Sequence, residues 1–342
     1  MKILLVQSYL GGGEPPIFPI GLACLKSGLA GHEVKVFDMN VATNPFAELK
    51  VLLKGFSPAL IGISLRNIDS TNKRTVVFYY KFFSETLELI KASTDARVAV
   101  GGTGFSIYAR RIMEEEPRLD YGVYLEGEET FSALVENLGA PENVKSIFYR
   151  KNGRVLFTGG GNKLPMEKMG LPDIQGFEAE AYKKNPDSFG IETKRGCALD
   201  CIYCIYGFLN GKGYRLKPPK RVVDEIEGLK ERYGVSEFTF VDSVFNIPEG
   251  HAAEICKEII RRGLKVRWSA WFNEKGLTRE FCELAREAGC GNFILSPDGL
   301  TDGVLKKLRK NIRKSDIMKA LEMLKGIDGV EISYNFFKNP PG

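Results

Sequence analysis

The chain has 342 residues, of which 44% are hydrophobic and 27% are charged, and its formal net charge is +5. This composition excludes a disordered chain, and the length allows two domains that each have a core of their own. No apolar run is long enough to span a membrane, and seven cysteines without a secretory segment favour a reducing, cytoplasmic location over a disulfide framework.

Residues 1–140 alternate apolar, strand-like runs with helical patterns, which predicts a parallel, doubly wound α/β sheet. The strand candidates are MKILLVQ, VKVFDM, ALIGISL, RVAVGG and YGVYLEG. Because the carboxyl ends of parallel strands share one edge, we expect the loops that follow them to form a ligand-binding edge. The candidate binding residues at this edge are Ser64, Arg66, Asn67, Gly101, Gly102, Gly104, Phe105, Ser106, Glu126 and Gly127.

The glycines after the fourth strand would allow the backbone to approach a large ligand closely. A nucleotide-binding Rossmann domain is the competing interpretation, but its G-x-G-x-x-G should follow the first strand, and the first loop lacks that register. The motifs P-x-G-L after strand one, GG-x-G-F-S after strand four and EGEE after strand five instead resemble the cobalamin-binding domain that precedes many radical S-adenosylmethionine (SAM) barrels. This resemblance covers almost all of residues 1–140 and implies that the domain binds cobalamin (vitamin B12).

The D-x-H-x-x-G motif, whose histidine ligates cobalt in other cobalamin domains, is absent from the chain. His32 lies between a helix and the second strand, where helix capping is the favoured role. We therefore expect cobalamin without a histidine lower ligand, with Arg66, Asn67 and residues 10–18 as candidates for its lower face. Residues 141–187 are predicted to form a hairpin around Asn152-Gly153 and a linker.

Cys197, Cys201 and Cys204 lie in RGCALDCIYC, a C-x-x-x-C-x-x-C triplet that can hold three irons of an iron–sulfur cluster and leave one iron open. The preceding FGIET reads as a strand, so the triplet would lie on a loop at a strand's carboxyl end, where barrel enzymes build active sites. A structural zinc site is the alternative, but no fourth Cys or His lies nearby. The triplet resembles the radical SAM superfamily, in which such cysteines hold a [4Fe-4S] cluster and SAM chelates the open iron.

Residues 188–342 repeat strand and helix, which predicts a parallel (β/α) barrel with the strands FGIET, EFTFVD, KVRWSA, NFILS and VEISYN. A barrel of this superfamily usually has six units, so we expect an incomplete barrel that stops before the last one. By resemblance, the SAM contacts would be Tyr203 near the adenine, Asp242 at the end of the second strand facing the methionine part, and Ser296 and Asp298 near the ribose. Asn246, in the same FVDSVFN segment as Asp242, is a further candidate contact. Asp242 and Asn246 could alternatively cap the next helix or satisfy a turn.

The excess positive charge lies in the second half of the chain, much of it in LKKLRKNIRKS. An anionic partner is one interpretation of this run. The solvated face of a helix is favoured, because aromatic residues are not interleaved with the charges, and nucleic acid is not indicated.

The combined resemblance implies an enzyme that cleaves SAM at a [4Fe-4S] cluster, forms a 5′-deoxyadenosyl radical and uses cobalamin to methylate an unactivated carbon. The substrate would be a small molecule or a peptide of unknown identity, and the electron donor a protein such as flavodoxin or ferredoxin. Radical rearrangement or cyclisation without methylation is one alternative, and a catalytically incomplete cobalamin- and SAM-binding module is another. No catalytic triad or carboxylate pair is recognisable in the barrel, so the cofactors are expected to supply the chemistry.

Overall fold

A computed structural model of the chain describes residues 1–70 and 74–340. It divides the chain into two compact units, Met1–Tyr182 and Lys183–Gly342. Among the described residues, none of the helices combines the length and the hydropathy that a membrane crossing demands. The finer boundaries predicted at residues 140 and 187 stay predictions.

The first unit is built on a seven-stranded sheet with helices between its parallel strands. Its strands are β1 (Lys2–Gln7), β2 (Glu33–Asp38), β3 (Leu60–Ser64), β4 (Arg97–Gly101), β5 (Tyr121–Val123), β6 (Ile147–Lys151) and β7 (Arg154–Phe157). Its helices are α1 (Ile20–Ser27), α2 (Pro45–Phe56), α3 (Tyr80–Ser93), α4 (Thr103–Ile107), α5 (Ala109–Glu115), α6 (Glu128–Glu136) and α7 (Ala179–Tyr182), with a 3-10 turn at Pro141–Asn143.

The strand order is β2-β1-β3-β4-β5-β6-β7, in which β1 to β5 are parallel and the hairpin β6-β7 continues the sheet antiparallel. The predicted α/β class is therefore confirmed. Alternate residues of β1 enter the two cores on opposite faces of the sheet: Leu4 and Val6 pack in one, Ile3 and Leu5 in the other. Burial on both faces explains why this strand reads as one continuous apolar run.

The second unit contains a five-stranded parallel sheet in the order β14-β13-β12-β11-β8 and a separate two-stranded ribbon, β9-β10. The strands are β8 (Gly190–Ile191), β9 (Lys194–Arg195), β10 (Arg215–Leu216), β11 (Glu237–Phe240), β12 (Arg267–Phe272), β13 (Cys290–Asp298) and β14 (Glu331–Phe336). The helices are α8 (Tyr206–Leu209), α9 (Pro219–Tyr233), α10 (Glu249–Arg261), α11 (Arg279–Glu287), α12 (Asp302–Lys307) and α13 (Lys314–Lys325), with a 3-10 turn at Pro186–Ser188. The five predicted strands are confirmed, as is the incomplete parallel barrel.

Aromatic rings fill the core of this second sheet. Phe240 stacks on Phe245 with ring centroids 4.7 Å apart, and both rings contact Trp268. The next ring, Phe272, is 3% exposed, whereas Trp271 is 39% exposed because successive strand side chains point to opposite faces. The aromatic core thus packs β11 against β12 and leaves Trp271 outside it.

Candidate functional site

The cysteine triplet lies on a loop between β9 and α8, and glycine fixes the start of this loop. Gly196 has φ +100°, and a Cβ there would lie 2.0 Å from the carbonyl oxygen of Gly213, so only glycine fits. The backbone N–H of Cys197 donates to the carbonyl oxygen of Gly211 at 2.9 Å. The first cysteine is therefore held against the turn that leads into β10.

The middle of the cysteine loop is held by the segment after α12. The N–H of Ile202 donates to the carbonyl oxygen of Leu308 at 3.2 Å. The Asp200 carboxylate pairs with Lys212 at 2.8 Å and with Arg309 at 3.2 Å. The hydrogen bond from Lys212 lowers the pKa of Asp200. Backbone contacts and surface ion pairs thus position the loop from two sides.

All three cysteines line one cavity of about 150 Å³. Cys197 is buried, Cys201 half-buried and Cys204 exposed, and burial raises the pKa of the Cys201 thiol. Among the described residues, no three Cys, His, Asp or Glu side chains are grouped so that they could share a single metal ion. A cubane takes one thiolate per iron, so its ligands need not converge on one atom as zinc ligands must. The donor set and the cavity therefore fit a cluster better than a zinc ion.

Three of the predicted SAM contacts meet beside this cavity through a residue that the sequence analysis did not single out. The hydroxyl of Tyr203 donates to the Asp298 carboxylate. Lys310 pairs with the same carboxylate at 2.5 Å, donates to the carbonyl oxygen of Ser296 at 2.5 Å and lies 5.6 Å from the centre of the Tyr203 ring. Burial, together with Asp298, raises the pKa of Tyr203. Lys310 lies in the basic run, where nothing in the sequence marks it as different from its neighbours.

Asp242 is buried and bonded from several directions. Its Oδ1 accepts from the N–H groups of Thr193 at 2.8 Å and Lys194 at 3.2 Å. Its Oδ2 accepts from the Thr193 hydroxyl and pairs with the Lys194 ammonium at 2.8 Å. Asp242 is not among the residues that line the cavity. These contacts make it a positioning residue that ties the end of β11 to the strand leading into the cysteine loop.

The side chain of Asn246 also holds the backbone of a neighbouring loop in place. Its side-chain N–H donates to the carbonyl oxygen of Asn273 at 2.9 Å, and its Oδ1 accepts from the N–H of Asn273 at 2.8 Å. Both contacts reach a loop 27 residues away, so neither a helix cap nor a local turn describes them. Direct SAM binding by Asn246 stays a prediction.

Glu274 is a cavity residue that sequence reasoning missed. It is 5% exposed, and its Oε1 has no hydrogen-bond partner among the described residues. Burial raises the pKa of Glu274 to about 7. Trp271 and Asn273 line the cavity beside it. The available signal was a carboxylate two residues after the aromatic end of β12, where parallel sheets place ligand-binding loops.

In the first unit, the loops after β3 and β4 are joined by three backbone hydrogen bonds. The N–H of Leu65 donates to Gly101 O at 2.8 Å, that of Gly104 to Arg66 O at 2.8 Å, and that of Phe105 to Leu65 O at 3.2 Å. A Cβ on Gly102 or Gly104 would lie 2.7 or 2.9 Å from the carbonyl oxygen of Leu65. These two glycines are thus required by contact between the loops, whereas the sequence reasoning attributed them to a ligand's approach.

Several other predicted edge residues have structural contacts. Phe105 is fully buried. The Ser106 hydroxyl donates to Gly102 O at 2.9 Å and accepts from the N–H of Leu125 at 2.9 Å. Glu126 Oε2 accepts from the N–H of Leu164 at 3.3 Å. These side chains hold the edge together.

Arg66 differs from the residues around it at this edge. Its side chain is exposed and, in the part of the chain that the structure describes, has neither a hydrogen bond nor an ion pair. Ile107 and Tyr108, at the end of α4, are 38% and 48% exposed. Ser64, at the end of β3, and Asn67, which follows Arg66, are half-buried. Gly127 directly precedes α6. The exposed guanidinium of Arg66 and the exposed apolar side chains therefore lie at an edge where the loops after β3 and β4 are in close contact. Such a surface fits a large, partly apolar ligand such as a corrin.

A buried network that the sequence did not reveal fixes the loop after β1. Asp38 Oδ1 accepts from the N–H and the side-chain amide of Asn40, both at 2.8 Å, and Oδ2 accepts from the Tyr182 hydroxyl. Asn40 in turn accepts from the N–H of Leu10 at 2.8 Å and donates to Ser8 O at 3.0 Å. Burial raises the pKa of Asp38. The network anchors the start of the candidate lower-face loop.

His32 lies away from this edge, as expected. Its Nε2 is 3.0 Å from Glu136 Oε1, and its Nδ1 is 3.3 Å from the amino group of Met1. The side chain therefore pairs with a glutamate and the chain terminus, and the predicted helix-capping role is not what its ring contacts display.

Two family models match the chain. The radical SAM superfamily model matches residues 191–336, and the B12 binding domain model matches residues 13–135. The uncharacterized methyltransferase PH0819 of Pyrococcus horikoshii is 26% identical over 344 residues, which cover 95% of this chain and 71% of that protein. The anaerobic magnesium-protoporphyrin IX monomethyl ester cyclase of Synechocystis is 25% identical over 322 residues, covering 90% of this chain and 62% of the cyclase.

Among solved structures, the radical SAM methyltransferase TsrM of Kitasatospora setae, with tryptophan and a SAM analogue bound, has a TM-score of 0.87 to this chain. The identity is 24%, and the match covers 100% of this chain and 68% of TsrM. At this identity, the likeness establishes the fold of both units. This chain therefore spans about two thirds of the length of the proteins it resembles.

Proposed function

Because the chain belongs to the cobalamin-binding radical SAM protein family, we propose that it is the part of a methyltransferase that binds the cofactors and acts on an unactivated carbon. The family assigns it three cofactors, a [4Fe-4S] cluster, SAM and cobalamin. When bound, these groups supply 5′-deoxyadenosyl radical chemistry and a transferable methyl group. The protein's own work is to bind, orient and exclude water.

In the second unit, Cys197, Cys201 and Cys204 would hold the cluster. The observation that carries the proposal is that all three line one cavity, on a loop fixed by Gly196 and by contacts to Leu308. The neighbouring cluster of Tyr203, Asp298 and Lys310 supplies an aromatic face and fixed charges for a polar ligand such as SAM.

In the first unit, the free guanidinium of Arg66 and the exposed apolar residues of α4 would face cobalamin. Ser106 and the Asp38–Asn40 network keep the loops in place. The loops that would contact the corrin are therefore already ordered, so less conformational entropy is lost when cobalamin binds. No histidine is available at this edge among the described residues, so cobalamin would bind without a protein nitrogen on cobalt.

The test is an anaerobic incubation of reconstituted protein with SAM labelled in its methyl group and a chemical reductant. We expect the label in methylcobalamin and, with substrate present, 5′-deoxyadenosine in solution. Protein that holds cluster and cobalamin but forms neither product would make the chain a binding module. The Cys201→Ser variant, which should lack the cluster, is the control for 5′-deoxyadenosine formation.

Cyclisation is the second candidate function, because a cyclase is among the relatives. The same incubation separates the two functions. A cyclase would form 5′-deoxyadenosine without moving the labelled methyl group to cobalamin, whereas the methyltransferase must transfer it.

A further inference from the structure

A basic surface lies beside the cysteine loop. Residues 302–314 contain six lysines and arginines but one acidic residue, Asp302. Lys306, Lys307 and Lys314 are exposed and, within the described residues, have no ion pair. We use the term basic surface for these three lysines together with Arg309. The three lysines place charges of one sign on one short segment and so create a positive local potential, to which Arg309, paired with Asp200, adds less.

Contacts join this basic surface directly to the loop that carries the cysteines. Leu308 accepts the backbone hydrogen bond of Ile202, and Arg309 pairs with Asp200. The next residue, Lys310, lines the cavity with the cysteines. The chain therefore passes from the exposed lysines of α12 to the cavity wall within a few residues. A solvated helix face elsewhere on the unit would have no such connection.

The loop itself adds an apolar centre to this positive rim. Ile202 is 56% exposed, Ile205 is 46% exposed, and Cys204 is also exposed. An apolar centre bordered by charge is the usual anatomy of a protein–protein interface. The positive rim selects an acidic partner and steers it to the loop.

We propose that the basic surface and the exposed cysteine loop dock an acidic, low-potential redox protein that gives one electron to the cluster. This inference rests on the proposed function, which places a cluster in the cavity. The electron balance is simple: the donor protein is oxidised by one electron, and the [4Fe-4S] cluster is reduced by one, from the 2+ to the 1+ state. No proton or group is transferred.

The test measures how fast reduced flavodoxin, used as the probe, reduces the cluster of the whole chain, followed by the loss of the visible absorption. The test variant is Lys306→Glu/Lys307→Glu. Its matched control, Lys220→Glu/Lys265→Glu, makes the same change in net charge at two exposed lysines that have no ion pair among the described residues. Dithionite, a small reductant that needs no docking surface, is the second reductant.

Steering by charge is worth about 10- to 1,000-fold in association rate and weakens with salt. At low ionic strength we therefore expect the test variant to be reduced by flavodoxin at least about tenfold more slowly than the unmodified protein. The control variant should change less than about twofold, and the difference should shrink at high salt. At high salt, where the charge of this small anionic reductant is screened, all three proteins should react with dithionite at the same rate.

An unchanged flavodoxin rate in the test variant, or an equal loss in the control, would overturn the docking surface while leaving the cluster in place. A different result would assign the surface to nucleic acid. In that case the unmodified and control proteins would bind an oligonucleotide in a salt-dependent way, the test variant would not, and flavodoxin would reduce all three at the same rate. Failure of dithionite to bleach the unmodified protein would show that no reducible cluster is present. That result would contradict the proposed function itself. It would be visible in the unmodified protein alone, so it cannot be confused with the loss of the docking surface in a variant.

Discussion

The two units place their candidate binding residues at the same kind of position, the loops at the carboxyl ends of parallel strands, but they use these residues differently. In the second unit, the predicted cluster ligands line a cavity, and other polar residues, such as Asp242 and Asn246, hold the loops. In the first unit, several of the predicted binding residues hold the loops themselves. Arg66 is exposed there and has no side-chain partner among the described residues.

The difference follows from what each motif needs chemically. A cysteine triplet indicates its cofactor through the atoms that bind it, because thiolates are the ligands of iron–sulfur clusters. The three side chains must therefore point to the cavity that would hold the cluster. A glycine-rich motif indicates only that the backbone adopts an unusual conformation or that another group packs closely against it. That group can be a ligand or another loop of the protein. Gly102 illustrates the second case, because its neighbour is the backbone of Leu65.

The largest effect is expected at the cysteine loop. Cys201→Ser should lower the iron content from about four per chain to less than about one, because a serine hydroxyl is a poor substitute for a thiolate ligand. Iron and sulfide analysis of anaerobically reconstituted protein measures this. Cys282→Ala, which alters a buried cysteine of α11 outside the cavity, should keep the full iron content. Equal iron in the two variants would refute the assignment of the triplet.

Asp242→Asn should be the most destabilising change to a loop-holding residue. The Asp242 and Lys194 side chains are 0% and 1% exposed, and the variant leaves the lysine buried without its counter-charge. Breaking such a pair costs about 3–5 kcal/mol of unfolding free energy. Glu254→Gln, which breaks the exposed pair with Lys257, should cost less than about 1 kcal/mol.

Denaturant unfolding of the protein without cofactors checks both values. If Asp242→Asn unfolds like the unmodified protein and only weakens SAM binding, Asp242 is a ligand contact and not a positioning residue.

Gly102→Ala probes the corresponding position in the first unit. A residue with a side chain at φ +100° is strained, and its Cβ would lie 2.7 Å from Leu65 O. We expect a loss of about 1–3 kcal/mol in unfolding free energy. Gly13→Ala, at a position with open space around it, should change stability by less than about 1 kcal/mol. A Gly102→Ala protein of normal stability that no longer retains cobalamin would restore the ligand-approach explanation.

The sequence was sufficient to predict the parallel strands of both sheets and the triplet, but not α2 or the ribbon β9-β10. The strands of both sheets are runs of apolar residues bounded by turns, and their period and length are local properties. The cysteine spacing is local too, because all three ligands lie within eight residues. The hairpin at Asn152-Gly153 follows from turn chemistry alone, and it forms β6 and β7.

The roles of individual polar residues could not be predicted, because they depend on partners that are distant in the chain. Asp242 meets Thr193 and Lys194 from 49 and 48 residues away. Lys310 reaches Asp298 from within a run of exposed lysines, and only the fold distinguishes it from them. Burial, which gives Glu274 its raised pKa, is likewise a property of the folded unit.

Arg66→Ala should have the smallest effect on stability and the most specific effect on cobalamin. The side chain has no partner in the described residues, so we expect a change in unfolding free energy of less than about 0.5 kcal/mol. Paramagnetic resonance of the Co(II) form reports the axial ligand, since a nitrogen beneath cobalt splits each cobalt line into three. The unmodified protein should give unsplit lines, because its histidines are not at this edge. Arg66→Ala should alter these lines or the amount of cobalamin retained. Triplets in the unmodified protein that disappear in His32→Ala would contradict a cobalamin without a histidine ligand.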